Sequence, residues 1–287
     1  MTATPGGPRT GAPISTWSLD EDESRHTGDS LVEVRQPITR HRARVLALAG
    51  VITFFAVWCV LSYANIVPTV ILPSPTEVLR AFPVLHFQEA LVRSIGGSLY
   101  RVYMGFLLAA VVAIPLGLLM GTFPPVKAFF VPLLDPLRFL PISALVPLFI
   151  VWFGIDEMQK IVFLFVGIVV YLLPLVVEAV ENVDDVYLQT ATTLGATKGQ
   201  LIRHVLIPGS LPAIGEALRV MNGIGWTYVI LAEVINARYG LGYLITAAGK
   251  RSNVDQIFAL VAVILVIGVV TDWMIRMINK TLFAWNE

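Results

Sequence analysis

The stretch Gln189-Thr-Ala-Thr-Thr-Leu-Gly-Ala-Thr-Lys-Gly-Gln-Leu-Ile-Arg-His-Val-Leu-Ile-Pro208 is a polar segment between two strongly apolar parts of the chain. Apolar residues make up 56% of the sequence and charged residues only 14%, whereas soluble domains carry roughly 25% charged residues. Several apolar runs approach the roughly 20 residues that a helix needs to cross a bilayer. The composition therefore predicts an all-α, polytopic membrane protein. An ordered polar segment in such a protein needs a soluble partner.

The composition also bounds the chemistry of this chain. The formal net charge is zero, which gives no indication of a nucleic-acid partner. Cys59 is the only cysteine and the four histidines are scattered, so we expect neither a disulfide nor a metal site. The sequence has no Gly-x-Ser-x-Gly motif and no Gly-x-x-x-x-Gly-Lys-Ser/Thr phosphate loop. We therefore expect no catalytic residues, no cofactor in this chain and no ATP hydrolysis by this chain alone.

The first 36 residues differ in composition from the rest of the chain. They are rich in Pro, Gly, Ser and Thr and contain the acidic patch Asp20-Glu21-Asp22-Glu23. Such a segment buries too little apolar area to offset its ordering entropy. Residues 1–36 are therefore expected to form a disordered or loosely docked cytoplasmic tail, with a regulatory arm as the alternative. Residues 37–287 are expected to form the membrane domain.

Apolar runs predict six membrane spans, at residues 45–63, 99–120, 126–153, 160–180, 211–235 and 256–278. Six crossings place both termini on one side of the membrane. The cluster Arg40, Arg42 and Arg44 before the first span favours the cytoplasm for that side. The turn signal Leu72-Pro-Ser-Pro75 precedes a short helix that we expect outside the membrane at residues 75–85.

The third predicted span is interrupted by prolines. They are Pro125, Pro132, Pro136, Pro141 and Pro147. Each interior proline removes a backbone hydrogen bond and kinks a helix. Broken helices at membrane depth are tolerated only against protein or a water-filled cavity. This span is therefore predicted to line a pathway.

The polar segment resembles the cytoplasmic coupling segment, or EAA loop, of the membrane subunits of ATP-binding cassette importers. Gly195, nine further residues and Val205-Leu-Ile-Pro208 follow that family's pattern. In the family, two short helices dock into a groove on the ATPase. The Glu-Ala-Ala triplet that names the loop is here Gln189-Thr190-Ala191, so the usual contacts of that glutamate are missing.

Other strings extend the resemblance over about residues 68–287. They are Leu72-Pro-Ser-Pro75, Ser98-Leu-Tyr-Arg-Val-Tyr-Met-Gly-Phe106, Pro147-Leu-Phe-Ile-Val-Trp-Phe-Gly154, Gly240-Leu-Gly-Tyr-Leu244 and Ala284-Trp285-Asn286. They resemble one branch of these permeases, which imports nitrate, sulfonates, taurine, bicarbonate or thiamine-precursor pyrimidines. The resemblance implies the type I importer fold: six transmembrane helices with a cytoplasmic coupling helix between spans four and five.

The resemblance assigns ATPase coupling to residues within about 184–208. They are Gln189, Ala191, Gly195, Ala196, Thr197, Lys198, Gly199, Leu201 and Pro208. The residues themselves also predict two helices here. Asp184 and Asp185 suit a helix start, Gly195 suits the turn between helices, and Thr197-x-x-Gln200 is a capping-box pattern.

Polar residues inside the spans are candidates for the translocation pathway. We assign this role to Ser143 in the broken span and to Asn222, Trp226 and Thr227 in the fifth, with packing between helices as an equal alternative. Charged residues in spans are functional candidates because they are expensive in lipid. Glu178, Glu181, Glu216 and Arg219 are expected to pair structurally, and Glu233 is expected to gate or pair, since it would repel an anion.

The resemblance implies a permease subunit of an ATP-driven, binding-protein-dependent importer of a small solute, which we expect to be an anion. It implies a multi-pass protein of the bacterial inner membrane, working as a homodimer in contact with membrane lipid. Its expected partners are two cytoplasmic subunits that bind ATP and Mg, and a periplasmic or lipid-anchored solute-binding protein. The alternative is a self-sufficient channel or secondary transporter, which would need no ATPase and typically shows an inverted repeat.

Overall fold

A computed structural model describes residues 39–286, and all regular structure in that range is helical. The predicted tail, residues 1–36, lies outside the described residues. The α-helices are α1 (Arg40–Tyr63), α2 (Pro75–Phe87), α3 (Leu91–Thr122), α4 (Pro124–Leu134), α5 (Val146–Phe153), α6 (Glu157–Glu181), α7 (Asp185–Thr193), α8 (Lys198–Leu201), α9 (Ile207–Asn236), α10 (Leu241–Lys250) and α11 (Val254–Leu282). Short 3-10 turns cover Asp135–Phe139, Ile142–Leu145 and Ala284–Asn286, and a π turn covers Ile202–Leu206.

Five stretches are long and apolar enough to cross a membrane, and a bent pair of helices brings the number up to six. The five contain α1, α3, α6, α9 and α11, so the prediction of a six-span helical protein is confirmed. Helix α3 begins at Leu91, ahead of the predicted start at residue 99. Its first two turns include Arg93 and Ser94, which lowered the apolar signal there. The helix α10 between spans five and six was not predicted.

The third span is broken, as its prolines indicate. Its halves, Pro124–Phe139 and Ile142–Phe153, meet at an angle of 92°. The bend lies at Leu140 and Pro141, both in extended backbone conformation. The proline ring fixes its own φ and removes an N–H donor, so the helix ends before it and restarts in a new direction.

Helices α3 and α6 form the centre of the fold, and small residues allow them to approach closely. A Cβ atom added at Gly105 would lie 2.5 Å from the Cβ of Leu164, and one at Gly117 would lie 2.6 Å from Val176. Gly121 makes the same approach to Val180. Close backbone contact along small residues is a common basis of helix association in lipid. The Gly117-x-x-x-Gly121 spacing therefore serves packing within one chain.

The chain divides into two compact units, with the division after Phe54. Of the first unit, residues 39–54 are described, and they form the start of α1. The second unit holds the remaining helices. Within it, the indole of Trp58 donates a hydrogen bond to the carbonyl of Pro73, at 3.0 Å. Ser74 then caps α2 in a capping box with Glu77, and hydrogen bonds from its backbone N–H and its hydroxyl lower the pKa of Glu77.

Candidate functional site

The polar segment begins with α7, whose first turn is stabilised by acidic residues. The Oδ1 atom of Asp184 accepts a hydrogen bond from the backbone N–H of Val186, at 2.9 Å. Asp185 adds a negative charge to the first turn, where it meets the positive end of the helix dipole. These local interactions let a nine-residue helix form outside the apolar core.

Helix α7 ends in a Schellman motif centred on Gly195. The N–H of Gly195 bonds to the carbonyl of Thr192 at 2.9 Å, and the N–H of Ala196 bonds to that of Ala191 at 3.0 Å. This pair of hydrogen bonds requires a residue with left-handed backbone conformation at its centre, and Gly195 has a φ of +84°. Any residue with a Cβ atom is strained at this position. The turn predicted at Gly195 is present.

The second helix of the segment is capped, and it continues into the membrane. The hydroxyl of Thr197 accepts from the N–H of Gln200, and the side chain of Gln200 accepts from the N–H of Thr197 at 2.8 Å. Helix α8 has four residues and passes through the π turn directly into α9. Our prediction placed a separate short helix before span five. In the structure the two are continuous, since each of Leu201 to Ile207 keeps helical backbone bonding.

Most residues assigned to coupling lie at the surface of this segment. Exposed side chains or backbone positions are Gln189, Gly195, Thr197, Lys198 and Gly199, and partly buried ones are Ala191, Ala196, Leu201 and Pro208. Pro208 is the second residue of α9, and because α9 continues from the π turn, its missing N–H removes one backbone hydrogen bond from the continuous helix. The structure thus gathers the assigned residues on one capped helix-turn-helix.

The structure adds three apolar residues that sequence reasoning missed. Leu194, Tyr187 and Val186 are 83%, 64% and 60% exposed. Leu194 also lines a shallow depression with Ala196 and His204. Exposed apolar side chains clustered on an ordered segment indicate a protein-binding surface.

The four pathway candidates do not share one surface. Ser143 and Thr227 are exposed, whereas Asn222 and Trp226 are only 2% and 4% exposed. The amide of Asn222 donates to the hydroxyl of Thr271 in α11, at 3.1 Å. Asn222 therefore joins two helices within the chain, which fits the packing alternative. Ser143 and Thr227 remain the pathway candidates.

Glu216, Arg219 and Glu181 form structural pairs within the spans as predicted, whereas over residues 39–286 the exposed Glu178 forms no ion pair. Arg219 contacts both Glu216 on its own helix and Asp272 on α11, the latter at 2.6 Å. Lys127 in α4 pairs with Glu181 at the end of α6, at 2.7 Å. Among residues 39–286, no group of three or more His, Cys, Asp or Glu side chains is close enough to hold a metal ion.

A buried charge cluster joins three spans at the end farthest from the polar segment. Arg101 of α3 donates to Glu233 of α9 at 2.7 Å, and to both oxygens of Glu157 of α6 at 2.6 and 2.8 Å. The side chains of Arg101 and Glu233 are 0% exposed. The ring of Tyr239 lies 4.6 Å from the guanidinium carbon of Arg101. We call Arg101, Glu157, Glu233, Tyr239 and Ser98 the Arg101 cluster.

Glu233 is satisfied on all sides within this cluster. The hydroxyl of Ser98 donates to its carboxylate at 2.7 Å, and the backbone N–H of Gly242 donates at 2.8 Å. A Cβ atom at Gly242 would lie 2.8 Å from the Cβ of Glu233, so this approach requires glycine. The expectation that Glu233 pairs rather than binds an anion agrees with this geometry.

Comparison with known proteins gives a consistent result. The family described as "Binding-protein-dependent transport system inner membrane component" matches residues 113–283. The taurine transport permease TauC of Escherichia coli is 30% identical over 88% of this chain and 93% of its own length. A putative aliphatic sulfonates transport permease of Bacillus subtilis is 31% identical over 81% of this chain and 84% of its own length. The bicarbonate transport permease CmpB of Synechococcus elongatus is 28% identical over 83% of this chain and 90% of its own length.

Solved structures support the same fold. An inward-facing structure of the MetNI methionine ABC transporter matches with a TM-score of 0.61 and 19% identity, covering 67% of this chain and 95% of that one. At this identity the likeness concerns the fold alone. The matched family residues span the coupling segment, α9, α10 and α11, where the capped helix-turn-helix and part of the Arg101 cluster lie. The chain therefore belongs to the family of inner membrane components of binding-protein-dependent transport systems, the permeases of ATP-binding cassette importers.

Proposed function

We propose that this chain forms the pathway of an ATP-driven importer for a small anion, as one of two identical permease copies. Two separate cytoplasmic subunits bind ATP and Mg and hydrolyse the nucleotide. A solute-binding protein delivers the anion on the other side of the membrane. The observation that carries this proposal is the capped helix-turn-helix of α7 and α8, which exposes Leu194 beside the turn at Gly195 and Tyr187 in the first turn of α7.

The anionic class of solute rests on the relatives. Three of them are named for the transport of taurine, aliphatic sulfonates and bicarbonate. Taurine and the sulfonates carry a sulfonate group, and bicarbonate is itself an anion. A compact group with a single negative charge is common to all three. We extend that class, and no single solute within it, to this chain.

The helix α9 supports a mechanism for coupling. It starts directly after the coupling segment and runs for 30 residues to the Arg101 cluster, a length of about 45 Å at 1.5 Å per residue. A rigid helix transmits a displacement at one end to the other. When the ATP-binding subunits close, the coupling segments move with them and α9 tilts. The two permease copies then open toward the solute-binding protein, and hydrolysis restores the inward-facing state.

This arrangement separates the proposal from its main alternative. A channel or secondary transporter works without a soluble subunit, so it gains nothing from exposed apolar residues on a polar segment. Leu194 at 83% exposure would then be a liability for aggregation. An ATPase groove that covers Leu194 removes that liability. The same docking requires the coupling segment, and hence both termini, to lie on the cytoplasmic side of the inner membrane.

The test is reconstitution of the permease with its ATP-binding subunits in proteoliposomes, with the solute-binding protein outside. Uptake of labelled taurine, ethanesulfonate and bicarbonate is measured with and without ATP and Mg. We expect ATP-dependent uptake of at least one of these anions and no uptake by the permease alone. Equal uptake without the ATP-binding subunits would establish the channel alternative.

Cysteine labelling tests the pathway in the same preparation. In a Cys59→Ser background, we expect Ser143→Cys and Thr227→Cys to react with a water-soluble thiol reagent, at rates that change severalfold between the ATP-bound and nucleotide-free states. Asn222→Cys serves as the matched buried position. Val263, our sequence-based choice of a lipid-facing position, packs against the core, so Val266→Cys, whose side chain is 60% exposed, is the position expected to face lipid. Equal rates for Ser143→Cys and Thr227→Cys in both states would place the pathway elsewhere.

A further inference from the structure

A cleft lies between the end of α9 and α10, close to the Arg101 cluster. Its volume is about 380 Å³, within the roughly 300–1,000 Å³ typical of small-molecule sites. Two cationic and two hydroxyl side chains line it, together with apolar residues and backbone from the α9–α10 connection. The polar lining residues are Arg238, Tyr243, Thr246 and Lys250. No carboxylate is among the lining residues.

The two cations of this cleft lack acidic partners. Over the described residues 39–286, neither Arg238 nor Lys250 forms an ion pair or a side-chain hydrogen bond. Their neighbours differ in this respect. Arg251, next to Lys250, pairs with Glu89, and Arg93 lies 5.2 Å from the centre of the Tyr239 ring. Two unpaired positive charges in one concave site create a field that concentrates anions.

The Arg101 cluster neutralises carboxylates near the cleft. Glu233 lies in the last turn of α9, the helix that leads into the cleft, and as a free carboxylate it would repel an anion. It is instead buried and hydrogen-bonded to Arg101 and Gly242. Glu157 is held by the other edge of Arg101 and lies 3.8 Å from the ammonium of Lys160. Together with Lys160, which lies outside the Arg101 cluster as defined, Arg101 balances the charge of the two carboxylates.

The position of the cleft suits a solute that has left the binding protein. Val234 and Ile235 line it at the far end of α9, about 45 Å from the coupling segment along the helix. It thus opens at the membrane face opposite the ATP-binding subunits. Tyr243 adds a hydroxyl donor, which complements the oxygens of a sulfonate or carboxylate, whereas the hydroxyl of Thr246 donates to the carbonyl of Gly242 at 2.9 Å.

We propose that the cleft lined by Arg238 and Lys250 is an anion subsite, which receives the sulfonate or carboxylate group of the solute after its release from the binding protein. This inference rests on the proposed import of an anion. The Arg101 cluster serves the subsite by keeping Glu233 and Glu157 neutralised. An acidic patch of the binding protein is the rival occupant, and the experiment separates the two.

The test uses a reporter cysteine in the cleft and requires no transport. Thr246→Cys is made in the Cys59→Ser background of the full importer complex in nanodiscs. Its rates of modification by sulfonatoethyl and trimethylammonioethyl methanethiosulfonate, reagents of opposite charge, are compared as a ratio. We expect Arg238→Gln/Lys250→Gln to lower the ratio of the anionic reagent's rate to the cationic reagent's rate by about tenfold at low ionic strength. The reason is that each of the two positive charges attracts the anionic reagent and repels the cationic one. Arg251→Gln, which removes a paired charge outside the cleft, should leave the ratio unchanged.

Protection measurements identify the occupant. Ethanesulfonate is expected to slow modification of Thr246→Cys more than sodium chloride of equal ionic strength, and this difference should vanish in the double variant. A ratio that is insensitive to the double substitution overturns the proposal. So does protection by the binding protein without protection by ethanesulfonate, which would make the cleft a docking surface.

The two proposals fail in different ways. If no anion is imported but the charge ratio and the ethanesulfonate protection behave as expected, the subsite stands and the proposed function is wrong. If anion uptake is normal in Arg238→Gln/Lys250→Gln, with an unchanged half-saturating concentration of loaded binding protein, the subsite is wrong and the proposed function stands.

Discussion

Replacing Arg101 with methionine is expected to destabilise the permease by roughly 3–5 kcal/mol, the usual effect of removing one partner from a buried ion pair. The substitution leaves Glu233, whose side chain is 0% exposed, without a cationic partner. It also frees Glu157, which Arg101 contacts through two nitrogens. A lone carboxylate within a membrane span is costly because neither water nor lipid solvates it.

The measurement is thermal unfolding of the purified permease, followed by size-exclusion chromatography after heating. Arg219→Met is the matched control, because Arg219 also contacts two carboxylates on two spans but its side chain is 26% exposed. Its loss of stability should be much smaller, since water reaches the residues left behind. A similar loss of stability in both variants would mean that burial does not determine how much these ion pairs contribute to stability.

A double substitution separates the pair from its surroundings. Arg101→Met/Glu233→Gln should be more stable than Arg101→Met alone, because a neutral amide leaves no buried charge and still meets Ser98 and Gly242. If the double variant is less stable than Arg101→Met, the carboxylate of Glu233 has other stabilising partners. Coupling of this kind between residues in contact is what a double-mutant cycle measures.

The parts of this fold that depend on local sequence could be predicted. Apolar runs identified the spans, because an apolar segment of sufficient length has few alternatives in lipid. Gly195 and the Thr197-x-x-Gln200 pattern identified the turn and the cap, because each acts over six residues or fewer. That the prolines break the third span followed from their missing N–H groups, although neither the place of the break at Pro141 nor its 92° angle did.

Contacts between distant residues could not be predicted. Arg101 and Glu233 are separated by 132 residues, and nothing in either local sequence selects the other as a partner. The same holds for Asn222 and Thr271, whose hydrogen bond joins two helices and favours the packing alternative for Asn222. The sequence shows that a polar residue lies in a span. Whether that residue faces a neighbouring helix, lipid or the pathway depends on how the helices are arranged.

The exposure of Leu194 leads to the second large effect: Leu194→Asp is expected to weaken binding of the ATP-binding subunits by roughly 30-fold, the effect of losing one interface residue worth about 2 kcal/mol. Leu194 is 83% exposed at the C-cap of α7, so aspartate changes the surface without opening a cavity. ATP-dependent uptake should fall to near background, because coupling requires docking. Affinity is measured by titrating labelled ATP-binding subunits onto the permease in nanodiscs.

Variants of neighbouring residues define the surface around Leu194. Reversing the charge of the exposed Lys198 or Arg203, or placing a bulky residue at Ala196, should also uncouple hydrolysis from uptake. Gly195→Val should do so by a different route, because its φ of +84° is strained with any Cβ atom. Gly268→Ala in α11, outside the coupling segment, is the control: an added Cβ meets no atom within 4 Å, and alanine favours the helix. Unchanged affinity and uptake in Leu194→Asp, with Gly268→Ala behaving as wild type, would mean that the ATP-binding subunits dock elsewhere on the permease.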